Sequence, residues 1–157
     1  MYRVIKYDGR YENDLKTGIF FPIKYFNQFT NRHFVIRILS LFKLYRNYLY
    51  LLIAPNGIEV LGCIVMRYRI NRKSIKRNWW IYGVFIKENQ CGKGLGKLLM
   101  DKTIEFMISN NANSIFLYVE KENKPAITLY NRYGFKIIEK SLQHKIKKYE
   151  YLMKKEL

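Results

Sequence analysis

GVFIKENQCGKGLGKLL, residues 83–99, decides the reading of this chain. An apolar strand runs into Gly92-Lys93-Gly94-Leu95-Gly96 and then directly into a segment of helical character. Glycines at a helix start let successive backbone N–H groups approach an anion without a Cβ in the way, and the helix dipole favours negative charge there. Lys93 and Lys97 add two mobile cations. The chemistry indicated is binding of a phosphate or pyrophosphate; the plain alternative is a strand-to-helix turn with no ligand. A P-loop requires Ser or Thr after its Gly-Lys pair, and here Gly96-Lys97 is followed by Leu98. A Rossmann fingerprint requires a third small residue where Lys97 stands, on an early strand rather than one in mid-chain.

The surrounding elements follow from pattern. Upstream, Tyr2 to Tyr7 reads as a first strand. Asn13 to Phe29 and Phe34 to Tyr45 read as two helical stretches, the second with apolar residues near helical spacing. Tyr48 to Ala54 is a strand, and Asn56-Gly57 is a hairpin signal of the type I′ kind, which needs positive φ at both positions. Ile58 to Ile70 is the return strand, and Trp79 to Ile86 a central strand with an almost continuous apolar face. Downstream, Leu95 to Ile108 is an amphipathic helix with Leu95, Leu98, Leu99, Ile104, Met107 and Ile108 on its apolar side. Ser114 to Val119 is a strand. Lys124 to Tyr133 is a short helix, capped by Asn123, with Pro125 in its tolerated first turn and Gly134 as its stop. Phe135 to Lys140 and Tyr149 to Lys154 close the chain as strands. This order mixes hairpins with a central βαβ unit.

The second informative cluster is NKPAITLYNRYGF, residues 123–135. Together the two clusters resemble the signature of the GNAT superfamily of acetyl-CoA-dependent N-acetyltransferases. The family's turn, Arg/Gln-x-x-Gly-x-Gly/Ala, corresponds to Cys91-Gly92-Lys93-Gly94-Leu95-Gly96. Its second motif, an Asn and then a helix ending Leu-Tyr-x-x-x-Gly-Phe, corresponds to Asn123 and Leu129-Tyr130-Asn131-Arg132-Tyr133-Gly134-Phe135. The closing residues 151–157 are similar to the family's last strand. The match is close from Trp79 to Leu157; residues 1–78 agree only in element order.

The resemblance implies an α+β, three-layer fold: a mixed, mostly antiparallel sheet of about seven strands, flanked by about four helices. Its central strands, Trp79–Ile86 and Ser114–Val119, splay apart. It implies a single N-acetyltransferase domain over residues 1–157, with 1–78 as the variable acceptor-side half and 79–157 as the acetyl-CoA-binding half. Acetyl-CoA is then the cosubstrate. Backbone groups of Val84, Phe85 and Ile86 pair with its pantetheine arm as a strand edge would. Amides from Cys91 to Gly96, with Lys93 and Lys97 beside them, hold the pyrophosphate, and Asn123 faces the thioester end. Tyr130 is the general acid that protonates the leaving thiolate; the alternative is a packing tyrosine on the stripe Ile127, Tyr130, Gly134.

The chain departs from the family pattern at two places. Cys91 stands where Arg or Gln is usual, so one side-chain donor is lost, with Gln90 as its substitute. An acyl-accepting role for Cys91 is set aside, because neither His33 nor His144 is near in sequence and the family transfers acetyl directly. The expected carboxylate base is missing from Trp79–Lys87. Glu120, on the same strand face as Tyr118, Glu122, or Glu59 across the sheet stand as candidates, and a weakly basic amine needs only water. Cys63 reads as a buried strand residue. Of the adjacent rings Trp79 and Trp80, one is expected in the core and the other on the cofactor cleft. Most of Tyr25, Phe26, Phe29, Phe34 and Phe42 are expected in the core.

Composition frames the rest. The 157 residues fit one domain large enough to need no staple. An apolar fraction of 49% with 26% charged residues excludes global disorder. Two cysteines and two scattered histidines make neither a disulfide framework nor a zinc cluster, and no metal is expected. The opening MYRVIKYD has no apolar signal core, and the uncharged run Asn47–Ile58 is too short to span a bilayer. The expectation is a cytoplasmic protein, monomer or homodimer. Formal charge is +17, and between Leu15 and Lys87 Glu59 is the only carboxylate against 13 Lys and Arg. MRYRINRKSIKR, residues 66–77, holds Arg67, Arg69, Arg72, Lys73, Lys76 and Arg77. That field repels cationic acceptors such as polyamines and aminoglycosides and favours a neutral or acidic amine, a protein N-terminus, or a substrate carried on a polyanion. Two other readings stand beside an enzyme: an acyl-CoA-binding protein without turnover, and a basic nucleic-acid- or ribosome-associated module, which is not favoured because charge runs are usually solvated faces.

Overall fold

A computed structural model describes residues 1–7, 10, 49–70, 77–143 and 148–157. Among them the strands are β1 (Arg3–Lys6), β2 (Leu49–Ile53), β3 (Val60–Ile70), β4 (Arg77–Ile86), β5 (Ser114–Glu120), β6 (Lys136–Gln143) and β7 (Lys148–Glu156), with helices α1 (Leu95–Ser109) and α2 (Lys124–Arg132). The strands form one sheet in the order β1-β2-β3-β4-β5-β7-β6. β4 and β5 run parallel, as a helical crossover through α1 demands. The pairs β1/β2, β2/β3, β5/β7 and β6/β7 are antiparallel. This is the mixed, mostly antiparallel α+β sheet expected. Two of the four expected helices, Asn13–Phe29 and Phe34–Tyr45, lie outside the described residues. So do Tyr25, Phe26, Phe29, Phe34 and Phe42, and Arg72, Lys73 and Lys76 of the basic segment.

Two compact units can be distinguished: Met1–Met66 with Gly83–Thr103, and Arg67–Tyr82 with Ile104–Leu157. In the first, the continuous apolar run LYLLI of β2 is buried along its whole length, as befits a strand with neighbours on both edges. Leu49, Leu51 and Ile53 pack with Val60 and Cys63, against which Ile5, Tyr7, Val65 and Phe85 are laid. Burial pushes the Cys63 thiol up to about 12, in keeping with an inert core cysteine. In the second unit β5 alternates. Ile115, Leu117 and Val119 are buried, while Phe116, Tyr118 and Glu120 share the other face. Trp79 is the core ring at 2% exposure, edge-on to Phe106 at 5.4 Å. Trp80 is half-buried and stacks on Phe116 at 5.0 Å and Tyr118 at 5.7 Å.

Two local expectations are corrected. The β2–β3 hairpin forms, but its turn is not type I′. Among the described residues only Asn111 has positive φ without being glycine, so Asn56 is not in the left-handed region. Pro55 sets the second turn position, Gly57 N–H donates to Ala54 O at 2.9 Å, and Asn56 Oδ1 accepts from Ile58 and Glu59 N–H. Proline at that position and an Asx turn outweigh the Asn-Gly signal. On α1, Leu98 and Ile108 are 37% and 55% exposed, whereas Met100 and Thr103 are fully buried. Leu95, Leu99, Met100, Thr103 and Met107 span an arc of roughly 140° on a helical wheel, and Leu98 and Ile108 fall outside it.

Candidate functional site

β4 ends at Ile86 and a single 3₁₀ turn, Glu88–Gln90, carries the chain to Cys91, whose N–H donates to Glu88 O at 3.2 Å. The next residues alternate in handedness: Gly92 at φ +79°, Lys93 negative, Gly94 at φ +74°. That alternation turns successive amides to one side and requires glycine at both positive positions. A Cβ at Gly92 or Gly94 would meet nothing within 4 Å, so backbone shape and not crowding selects glycine here. The next backbone bond is Lys97 N–H to Gly94 O at 3.0 Å. Among the described residues, the amides of Gly92, Lys93, Gly94, Leu95 and Gly96 have no backbone acceptor. They form a run of donors at the positive end of a 15-residue helix. Lys93 Nζ rests on Gln90 Oε1 at 2.9 Å, beside the turn, and Lys97 Nζ pairs with Asp101 one helical turn further along α1 at 3.1 Å.

The side chain of Gln90, expected to replace the missing donor, therefore has its oxygen occupied by Lys93. The exposed Cys91 thiol lies 3.5 Å from Lys87 O and 3.9 Å from Ile86 O, directed at the carbonyls that end β4. Val84, Phe85 and Ile86 are half-buried. The following Lys87 is held twice, by N–H donation to Leu61 O at 2.8 Å and by a 2.7 Å ion pair to Glu59. The parallel β4–β5 ladder runs from Asn78↔Ser114 to Ile81↔Leu117 and ends there.

The second cluster is built by helix capping. Asn123 Oδ1 accepts from Ala126 N–H at 3.2 Å, and Pro125 occupies the first turn. At the other end Gly134 takes φ +80°, its N–H donates to Asn131 O at 2.9 Å, and Phe135 N–H donates to Tyr130 O at 3.1 Å. This is a Schellman stop, and the apolar contact that accompanies it joins Tyr130 to Phe135, ring centroids 5.9 Å apart. The Leu-Tyr-x-x-x-Gly-Phe spacing thus has a folding role as well as a chemical reading. Tyr130 is 6% exposed, and burial pushes its phenol up to about 12, so it carries its proton at any pH near neutrality.

Of the base candidates, Glu59 has its carboxylate on Lys87. Glu120 is half-buried on the same face of β5 as Tyr118 and stands opposite Glu150 of β7. Glu122 is exposed in the turn before α2. Val84–Ile86, Cys91–Lys97 and Glu59 belong to the first unit; Asn123, Tyr130, Glu120 and Glu122 belong to the second. Among the described residues no group of three or more His, Cys, Asp or Glu could hold a metal ion, and no helix is long and apolar enough to cross a membrane. The Glu59–Lys87 pair and the Trp80–Phe116–Tyr118 stack escape the sequence reading, since each joins positions far apart in the chain.

The profile of the acetyltransferase (GNAT) family matches residues 20–135. A mycothiol acetyltransferase of Corynebacterium aurimucosum is 39% identical over 59 residues, which is 38% of this chain and 19% of that protein. One from Corynebacterium kroppenstedtii is 35% identical over 60 residues, 38% of this chain and 17% of that protein. The chain thus spans about a fifth of the length of the curated relatives it matches. Among solved structures, a chain of the NatC complex bound to Gag peptide and CoA superposes with a TM-score of 0.79 at 16% identity, over 99% of this chain and 98% of that one. An Arabidopsis thaliana protein in complex with a bisubstrate analogue gives 0.77 at 13% identity, over 100% and 99%.

Proposed function

The chain belongs to the acetyltransferase (GNAT) family, and from that premise we propose that it binds acetyl-CoA and transfers the acetyl group to a primary amine by direct attack. The observation that carries this reading is the run of five amides from Gly92 to Gly96, at the start of α1, with no backbone acceptor among the described residues. Such donors suit the pyrophosphate of CoA, and Lys93 and Lys97 supply charge beside them. The strand edge of Val84–Ile86 suits the amide groups of the pantetheine arm. A backbone N–H at the end of β4 polarises the thioester carbonyl.

The amine nitrogen attacks the thioester carbon, the C–S bond breaks, and the sulfur leaves as a thiolate. Tyr130 donates its hydroxyl proton to that sulfur, the proton shed by the acylated nitrogen passes to water, and water reprotonates the phenolate. A buried phenol held well above neutrality is a donor that is never pre-ionised. Asn123 has its Oδ1 in the helix cap, while its Nδ2 makes no hydrogen bond to a described residue and stays available as a donor. Proximity in the ternary complex supplies much of the acceleration. The acceptor is a neutral or acidic amine, small-molecule or protein, because the basic stretch 15–87 repels cations.

Calorimetric titration with CoA, competed by adenosine 5′-diphosphate, tests the carrying observation. Saturable binding displaced by the nucleotide is expected. Absence of binding would remove the assignment of the turn.

A further inference from the structure

The glycine at position 62 differs in kind from those of the turn. A Cβ built on Gly62 would lie 2.5 Å from the backbone carbonyl oxygen of Phe85, 2.7 Å from Ile86 Cδ1 and 3.4 Å from Ile86 Cα. Real Cβ atoms do not approach backbone oxygen so closely, and a backbone oxygen cannot rotate away as a side-chain tip can. Several features fix the same place. β3 carries a bulge beside Gly62: Leu52 pairs with Gly62 and Ile53 with Val60, leaving Leu61 as the extra residue. Bulges bend and re-aim a strand. The carbonyl of that extra residue accepts from Lys87 N–H at 2.8 Å, and Glu59, just before β3, holds Lys87 Nζ at 2.7 Å. The end of β4 is therefore fastened twice, through Lys87, beside a spot where β3 has no side chain.

We propose that Gly62 is a positioning residue for acetyl-CoA: its missing side chain lets the Phe85–Ile86 peptide lie against β3 and so sets the strand edge offered to the pantetheine arm. This rests on the acetyl-CoA reading above. Gly62 touches no ligand and acts only through the backbone of Phe85 and Ile86. Any side chain at position 62 displaces that peptide and misaligns the donors and acceptors of β4, while the turn at Gly92–Gly96 keeps its shape.

The test compares two ligands on Gly62→Ala. CoA carries pantetheine and pyrophosphate; adenosine 5′-diphosphate carries only the latter. Calorimetry is expected to show CoA binding weakened roughly tenfold or more, with nucleotide binding unchanged. Gly83→Ala serves as the comparison, because the three atoms nearest a Cβ there all belong to the ring of Phe85, a side chain that can turn aside where a backbone oxygen cannot. It should cost stability and leave the ratio of the two affinities as in the wild type. If Gly62→Ala does not fold, Gly62→Ala/Ile86→Val removes the conflict with Cδ1, keeps the one with the carbonyl, and is read the same way. A folded variant that binds CoA as wild type does, or that loses both ligands equally, overturns the positioning role. Wild-type protein that binds neither ligand overturns the acetyl-CoA reading itself, and with it this role.

Discussion

The two described α-helices begin in opposite ways. α2 is closed at its start by Asn123, whose side chain accepts an amide of the first turn, and closed at its end by Gly134 and the Tyr130–Phe135 contact. α1 starts behind Gly94, which has no side chain to offer, and among the described residues the amides of Leu95 and Gly96 meet no backbone acceptor. A cap there would be worth about 1 kcal/mol. Its absence leaves the positive end of the longer helix open to an anion, while the shorter helix, satisfied at both ends, serves to hold a buried tyrosine. On the proposed reading the first region binds the cofactor and the second presents one protonated group.

That division is broken most severely at Tyr130. In Tyr130→Phe the ring and the Schellman contact persist and only the hydroxyl is lost. Turnover should fall by roughly 10²–10⁴ with CoA affinity intact. Wild-type turnover, measured where chemistry limits the rate, would reduce Tyr130 to a helix stop. Gly94→Val should do the reverse. A branched residue at φ +74° is strained, and the variant should lose roughly ten- to a hundredfold in CoA affinity by calorimetry. Turnover at saturation should be nearly preserved. Unchanged affinity in a folded Gly94→Val protein would mean that the turn is structural.

The alkaline limb of stability sharpens the account of the second region. An unfolded tyrosine ionises near its ordinary 10.0 while folded Tyr130 keeps its proton to about 12. Between those values the folded state binds more protons, so stability is fully present below pH 10 and is lost as pH rises. The loss amounts to about 2–3 kcal/mol for a two-unit shift. Urea midpoints of Tyr130→Phe should decline less over this window than those of wild type. Cys63, whose thiol also rises to about 12, gives both proteins a shared slope beginning near pH 9.0. Equal slopes would place the phenol in contact with water. The smallest effect belongs to Glu59. Its partly exposed ion pair with Lys87 is worth about 0–1 kcal/mol, so Glu59→Gln should melt within a few degrees of wild type and keep its turnover. A collapse of turnover would make Glu59 the base that β4 lacks.

What could be read from the residues, and what could not, divides by range. The turn at Gly92–Gly96 was legible because positive φ leaves glycine little competition, a constraint that acts within the local backbone. The cap at Asn123 and the stop at Gly134 were legible for the same reason. The turn at Asn56 was misread because Pro55, one residue earlier, fixes a different geometry. On α1, a helix-period pattern counted Leu98 and Ile108 as core and passed over Thr103, since side-chain polarity is a weak guide to burial when neighbours supply the packing. Gly62 carried no local sign, because its reason is a carbonyl 23 positions further along the chain. Tyr130 was read as an acid with packing on a helical stripe as the alternative, and its spacing from Gly134 and Phe135 also writes a helix terminus.

The central claim is acetyl transfer, and thiol release from acetyl-CoA across a panel of primary amines measures it most directly, with acetylated product identified by mass spectrometry. Neutral and acidic amines, peptide N-termini among them, should drive release well above the amine-free rate, and polyamines should not. Saturable CoA binding with no amine-dependent release across the panel would contradict the account and leave a CoA-binding protein without turnover.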